Sequence, residues 1–144
     1  MVYTKLNKIA DISRANNDYL YPAYTNYIEL SATKGLVGMI KKDGNISNRN
    51  AIINPKIKIN PIYFNIALQN ALPKFINKYL TTINLQLDVV GKMEIAYDPN
   101  MEAQENAVKT IIQIDNMIEA TKKTIHDTQN FKKILLDKML VTGE

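Results

Sequence analysis

The sequence predicts an α+β protein in two parts. Residues 1–98 form a small head of short mixed or antiparallel strands with two short helices, and residues 99–144 form one long C-terminal coiled-coil helix. Three observations carry this expectation. Ala107, Ile111, Ile114, Ile118, Thr121, Ile125 and Thr128 recur at alternating steps of four and three, the a/d seam of a coiled coil. In the head, brief apolar runs are separated by Asp-Gly and Asn-Pro turn signals, as between short strands. Asn60-Pro61 supplies an N-cap and an N1 proline ahead of an apolar stretch, which starts a helix.

Taken in order, Val2 to Ser13 reads as a lead-in with Leu6, Ile9 and Ile12 briefly at helical spacing. Asn16-Asn17-Asp18 is a turn within a stretch rich in tyrosine (Tyr19, Tyr21, Tyr24, Tyr27), whose rings either pack against a small core with their hydroxyls outward, the favoured reading, or stack on bases. Tyr27 to Leu30 is a strand, Ser31 to Gly35 its exit loop and Leu36 to Ile40 the return. Lys41 to Asn45 is a tip with Asp-Gly turn chemistry, and Ala51-Ile52-Ile53 a buried strand closed by Asn54-Pro55. After Asn60, the residues Ile62, Tyr63, Ile66 and Ala67 suit a buried helix face. Pro73 restarts a second short helix through Leu80, with Phe75, Ile76 and Tyr79 inward. Thr81 to Gln86 leads into a last strand over Val89 to Ala96, where Gly91 marks a bulge or a close backbone approach. Asp98-Pro99-Asn100 then begins the long helix, whose roughly 40 residues would span about 60 Å. Its stripe is broad at the start, where Val108, Ile112 and Met117 flank the seam. It steps out of register at Lys132, moving to Phe131, Ile134, Leu135 and Met139.

Charge is unevenly shared. The chain carries +4 overall, but between Leu30 and Leu80 eight basic residues meet one acid, Asp43. From Pro99 onward six lysines meet seven acids. A basic head on a charge-balanced helix points to a polyanionic partner for the head. No apolar run approaches a membrane span, no secretory h-region follows the N-terminus and there is no cysteine, which fits a cytoplasmic protein without disulfides. Catalytic chemistry has little to build on. His126 is the only histidine, no phosphate-cradling glycine loop exists, and the carboxylates of the head form no spaced acid–base pair. No catalytic residue, metal ligand or cofactor site is expected in this chain.

Several segments occur together in a telling order: Ile28-Glu29-Leu30-Ser31-Ala32-Thr33-Lys34-Gly35, then Ile53-Asn54-Pro55 with Ile59-Asn60-Pro61-Ile62-Tyr63, then Thr82-Ile83-Asn84-Leu85-Gln86. Pro99 and Gln104 follow at the head of the long helix, which closes with Phe131 to Leu140. In this the chain resembles a specificity subunit of a type I restriction-modification system. The resemblance is to a half-size form with one target-recognition domain (1–98) and one dimerisation or spacer helix (99–144). It implies that two recognition domains, held apart by paired helices, each read half of a bipartite DNA site. It further implies that a partner adenine methyltransferase uses S-adenosylmethionine, and that a motor-nuclease subunit, where present, uses ATP. Two copies of a half-size chain, or one copy with another specificity subunit, would rebuild the whole, and a two-fold homodimer would read a palindromic bipartite site.

Arg suits guanine and Asn or Gln suits adenine, while lysines position the duplex through phosphates. The expected base readers are therefore Ser31, Thr33, Arg49 and Asn50. The expected backbone contacts are Lys34, Lys41, Lys42, Lys56, Lys74 and Lys78, with Asn84 and Gln86 as further DNA-facing candidates. The expected dimer seam is Ala107, Ile111, Ile114, Ile118, Thr121, Ile125, Thr128 and Leu135. Two other functions fit the same sequence. One is a truncated relative acting as a decoy or assembly factor, and the other is an unrelated coiled-coil DNA-binding regulator.

Overall fold

The computed structural model describes residues 1–30, 36–79 and 86–142. In chain order it contains β1 (Val2–Lys5), α1 (Leu6–Ile9), β2 (Ala10–Arg14), β3 (Asn26–Glu29), β4 (Val37–Met39), β5 (Asn50–Pro55), α2 (Pro61–Tyr79), α3 (Leu87–Val90), β6 (Glu94–Tyr97) and α4 (Met101–Thr142). The α+β class, the antiparallel strands and the long C-terminal helix are as the sequence predicts. Two compact units emerge, Met1–Asn106 and Ala107–Glu144, so the first turn of α4 groups with the head.

Ala51, Ile52 and Ile53 of β5 are all buried, which requires cover on both faces. The strand is central in a four-stranded antiparallel sheet of order β2-β5-β3-β4. On one face Ile53, opposite Ile12 and Asn26, and Ala51 meet the main core with Phe64, Leu68 and Leu72 of α2. On the other, Ile52 clusters with Ala15 and Ile46, with Tyr21, Tyr27 and Ile40 packed around them. A second sheet pairs β1 with β6, from Val2↔Tyr97 to Lys5↔Glu94, and so joins the first strand to the last. The leading N–H groups of α1 are satisfied across this junction, Leu6 donating to Met93 O at 2.8 Å and Asn7 to Gly91 O at 3.0 Å. Gly91 is indeed a close approach, since a Cβ there would lie 3.0 Å from Asn7 Cβ.

Four expectations change. The lead-in is two strands around a single helical turn. Leu6 and Ile9 share that turn, whereas Ile12 belongs to β2, so their helical spacing is coincidental. The buried face of α2 is Phe64, Ala67, Leu68, Ala71, Leu72 and Phe75, while Ile62, Tyr63 and Ile66 are half-buried. Apolar residues at adjacent positions left the helical phase open. Pro73 does not start a second helix. It sits exposed inside α2, where water can reach the carbonyl that its missing N–H leaves unpaired. Finally, the expected strand over Val89 to Ala96 is half helical turn (α3) and half β6. Leu80 and the Thr81 to Leu85 stretch lie outside the described residues, as does the Ser31 to Gly35 loop.

The core includes amides. Asn65 Nδ2 donates to Asn26 Oδ1 at 2.9 Å, Asn26 Nδ2 to Pro61 O at 3.1 Å, and Gln69 Nε2 to Asn65 Oδ1. These tie β3 to the start and second turn of α2. Among the described residues no buried side-chain nitrogen or oxygen lacks a partner.

Gly38 in β4 stands directly opposite Tyr27, whose ring lies across it. A Cβ at position 38 would sit 2.2 Å from Tyr27 Cζ. Gly38→Ala is therefore expected to destabilise the head by roughly 1–3 kcal/mol. Adding Tyr27→Ala should relieve that clash, and a thermal-melt double-mutant cycle checks the coupling. Additive effects would mean the ring swings aside without cost.

Candidate nucleic-acid interface

Two long connections, residues 15–25 and 40–49, are knitted into one platform at the end of the four-stranded sheet. Tyr21 and Gly44 exchange backbone hydrogen bonds of 2.8 and 2.9 Å. Asp43 Oδ1 accepts the Ala23 N–H at 2.8 Å, so the one acid of the basic segment caps the neighbouring loop. Asn45 Nδ2 donates to Asn17 O and Tyr19 O, each at 3.0 Å, and Asn17 Oδ1 accepts the Asn48 N–H at 2.7 Å. Arg14 Nη1 donates to Asn48 O at 2.9 Å. Tyr24 is held at φ 68°, a left-handed conformation rare for an aromatic residue, with its N–H on Ile40 O at 2.6 Å. Tyr19 and Tyr21 meet edge-to-face, ring centroids 4.6 Å apart. The result is a braced tip that carries exposed Lys41, Lys42 and Arg49.

The expected contact residues divide on this structure. Lys41, Lys42 and Arg49 share the braced region and present their charges to solvent. Asn50 is half-buried and spends its amide on Ser47 O at 3.1 Å, closing the turn it belongs to. Lys56 stays exposed but is engaged at the sheet edge, donating to Asn7 O at 3.3 Å and lying 3.9 Å from Asp11. With both side chains well exposed, that ion pair contributes little. Gln86 is the N-cap of α3, but its side chain makes no cap bond. Its carbonyl accepts the N–H groups of Val89 and Val90. Ser31, Thr33, Lys34 and Asn84 lie outside the described residues.

Lys74 and Lys78 stand apart from the tip. They lie one turn apart on α2 and line a cleft of about 240 Å³ together with Lys5, Lys92 and Glu94. Neither Lys5 nor Lys92 was singled out by the sequence, because the fold alone brings β1 and β6 beside α2. On the outer face of the sheet, Asp11, Ser13 and Asn54 line a depression of about 420 Å³ together with Tyr19 and Tyr21. The alternation of β2 was the signal that could have found it. Among the described residues, no group of histidine, cysteine or carboxylate side chains has the arrangement of a metal site.

Within the first unit, the opening turn of α4 is fastened to the rest of the head by a joint of side-chain hydrogen bonds. Asn60 Oδ1 caps α2 by accepting the N–H groups of Ile62 (2.9 Å) and Tyr63 (3.2 Å). Gln104, fully buried in the first turn of α4, accepts the Asn60 N–H at 2.9 Å and donates to Asp98 O at 2.8 Å. Tyr63 Oη accepts the Asp98 N–H at 2.8 Å, and Asn100 Oδ1 accepts the Ala103 N–H as the N-cap of α4. The Asn60-Pro61-Ile62-Tyr63 and Pro99-to-Gln104 segments are thus two halves of a single structural device.

This fold has structural counterparts among solved structures. Over 99% of its length the chain superposes on the S subunit of a type I restriction-modification system from M. genitalium, with a TM-score of 0.68 and 12% identity. The fold is that of half a type I specificity subunit. The HsdS subunit from Thermoanaerobacter tengcongensis matches over 99% of the chain at TM-score 0.64 and 15% identity. A chain from a structural study of complex assembly and conformational transition in the type I restriction-modification system matches at TM-score 0.74 and 13% identity. The chain spans about half the length of these specificity-subunit-like structures, 45–46% of each. No protein-family model matches the sequence.

On the second unit the specificity-subunit fold leaves an apolar stripe uncovered. Ile111, Ile114, Ile118, Ile125 and Leu135 are between 36 and 52% exposed, whereas Ala107 is half-buried. Thr121 and Thr128 return their hydroxyls to the Met117 and Thr124 carbonyls, each at 2.8 Å. Among the described residues, no helix is long and apolar enough to cross a membrane.

Proposed function

We propose that this chain is a non-catalytic DNA-recognition component of a type I restriction-modification system. The head contacts one half of a bipartite site. The seam of α4 pairs with the helix of a second such unit, which is either another copy or a different specificity subunit. An adenine methyltransferase, and where present a motor-nuclease, docks on the assembly and supplies the chemistry that uses S-adenosylmethionine and ATP. A two-fold pair would present its heads to an inverted repeat. The site of action in this reading is the cytoplasm. The observation that supports it is the superposition of 99% of the chain, the head and the long helix both included, on specificity-subunit structures.

Contact with duplex DNA rests on the braced tip. Base edges lie recessed in the major groove, so a protruding element must reach them, and the tip carries three exposed cations. Replacing Lys41, Lys42 and Arg49 with glutamate is expected to weaken duplex binding more than tenfold at low salt. If each residue serves one phosphate, the slope of log affinity against log salt falls by up to about 2.7. Fluorescence-anisotropy titrations across a salt series test this, together with co-purification of the wild-type chain with its methyltransferase. Wild-type affinity and slope in the triple variant would remove the tip from the DNA contact.

A further inference from the structure

We propose that the cleft between α2 and the β1–β6 sheet is a phosphate seat that receives the backbone of a nucleic acid at a second point on the head. The proposal rests on the DNA-recognition reading for the source of the phosphate, but not for its chemistry. Lys5, Lys74, Lys78 and Lys92 all line this one cleft, and Glu94 is the single acid among its lining residues. Four lysines beside one acid give the lining a net positive charge. No hydrogen bond or ion pair to the described residues engages the ammonium groups of Lys5, Lys74 or Lys92. Lys74 and Lys78 are like charges at i and i+4 on α2, a pairing unfavourable on a bare helix.

The floor fixes what can enter. Ala71, Phe75 and Ile95 are buried core residues and give the cleft an apolar floor beneath its charged rim. Predominantly positive charge over a low-dielectric floor concentrates the field at the mouth. The shape selects the part of the ligand. Phosphates form the convex ridge of a duplex while base edges are recessed, so a concave lysine-lined cleft takes backbone and reads no sequence. Exposed Tyr3, on the same strand face as Lys5, offers a ring for the sugar beside that phosphate.

The test compares the full-length chain with a Lys5→Gln/Lys74→Gln/Lys92→Gln variant, a matching Lys→Arg variant, and a Lys109→Gln/Lys122→Gln/Lys123→Gln variant that loses equal charge from α4. Duplexes of unrelated sequence should bind the first variant roughly tenfold more weakly at low salt, with the salt slope reduced by about 1 to 2. The arginine variant should bind as wild type, and the α4 variant should keep the wild-type slope. Pyrophosphate is titrated in parallel while the amide signals of Ala71, Phe75 and Ile95 are followed. If these shift in the wild type only and the glutamine variant binds duplex normally, the seat takes a free phosphate compound and the nucleic-acid source is overturned. A wild type that responds to pyrophosphate yet binds no duplex ends the recognition reading and leaves the seat. An unchanged salt slope together with no response to pyrophosphate overturns the seat itself.

Discussion

Gln104→Ala is expected to cost the head more than any other single substitution at the joint. The amide is fully buried and holds two main-chain groups, the Asn60 N–H and the Asp98 carbonyl. Truncation leaves both without a partner, at about 1–3 kcal/mol each, and opens a cavity. A total of roughly 3–5 kcal/mol is a large share of the 5–15 kcal/mol typical of a domain. For a head of this size it corresponds to a Tm lowered by roughly 15 °C or more. Near-UV circular dichroism of the tyrosines reports on the head without the signal of α4. A drop of less than about 4 °C would mean that water replaces the amide. Gln104→Glu sharpens the test. A neutral carboxyl can still accept from Asn60 and donate to Asp98, whereas a carboxylate has nothing to donate. Burial raises the folded pKa above the ordinary value of about 4.3. This variant should therefore hold its stability below that ordinary value and lose it as pH rises through the raised one.

Ile114→Glu combined with Ile118→Glu is expected to abolish pairing through α4. Both isoleucines are 45% exposed in the single chain, so they have apolar surface to give to a partner. Burying a side chain of this size contributes about 1.5–3 kcal/mol, and a two-fold pair buries four of them. A micromolar dimer has only about 8 kcal/mol in all, so losing these contacts and forcing four carboxylates into the seam leaves nothing to hold it. Sedimentation of wild type and variant at tens of micromolar gives the answer. A variant that sediments as wild type would place the pairing face elsewhere on the helix. The threonines of the seam raise no objection to close packing, since Thr121 and Thr128 already bond to their own helix.

Much of this architecture is legible in the residues, for identifiable reasons. Ala51-Ile52-Ile53 between turn signals, the Asn60-Pro61 start and the long seam each carry a strong local signal, and β5, α2 and α4 lie where those signals put them. The strands β1 and β2 were hidden because four or five residues of alternation cannot outweigh a competing helical spacing at Leu6, Ile9 and Ile12. The phase of α2 depended on which neighbour covered it, and Pro73 on whether water could reach the turn before it. The interface was half legible. Charge showed where an anion would be drawn, but not which side chains were already occupied. Lys56 is engaged by Asn7, 49 residues earlier, and Arg14 by Asn48, 34 residues later. Asn50 illustrates the same limit at short range, since its amide closes its own turn.

The joint also bears on which parts of the head are free to vary. Gln104 addresses the N–H of Asn60 and the carbonyl of Asp98, atoms that every non-proline residue possesses, and Tyr63 likewise binds a main-chain N–H. Nothing in that fastening consults the residues of the braced tip or of the lysine cleft. The tip is therefore free to drift in sequence, or to be exchanged wholesale, while the fitting beneath it stays unchanged. A head taken from another chain with the same fitting would mount on this helix as a cartridge mounts in a common socket.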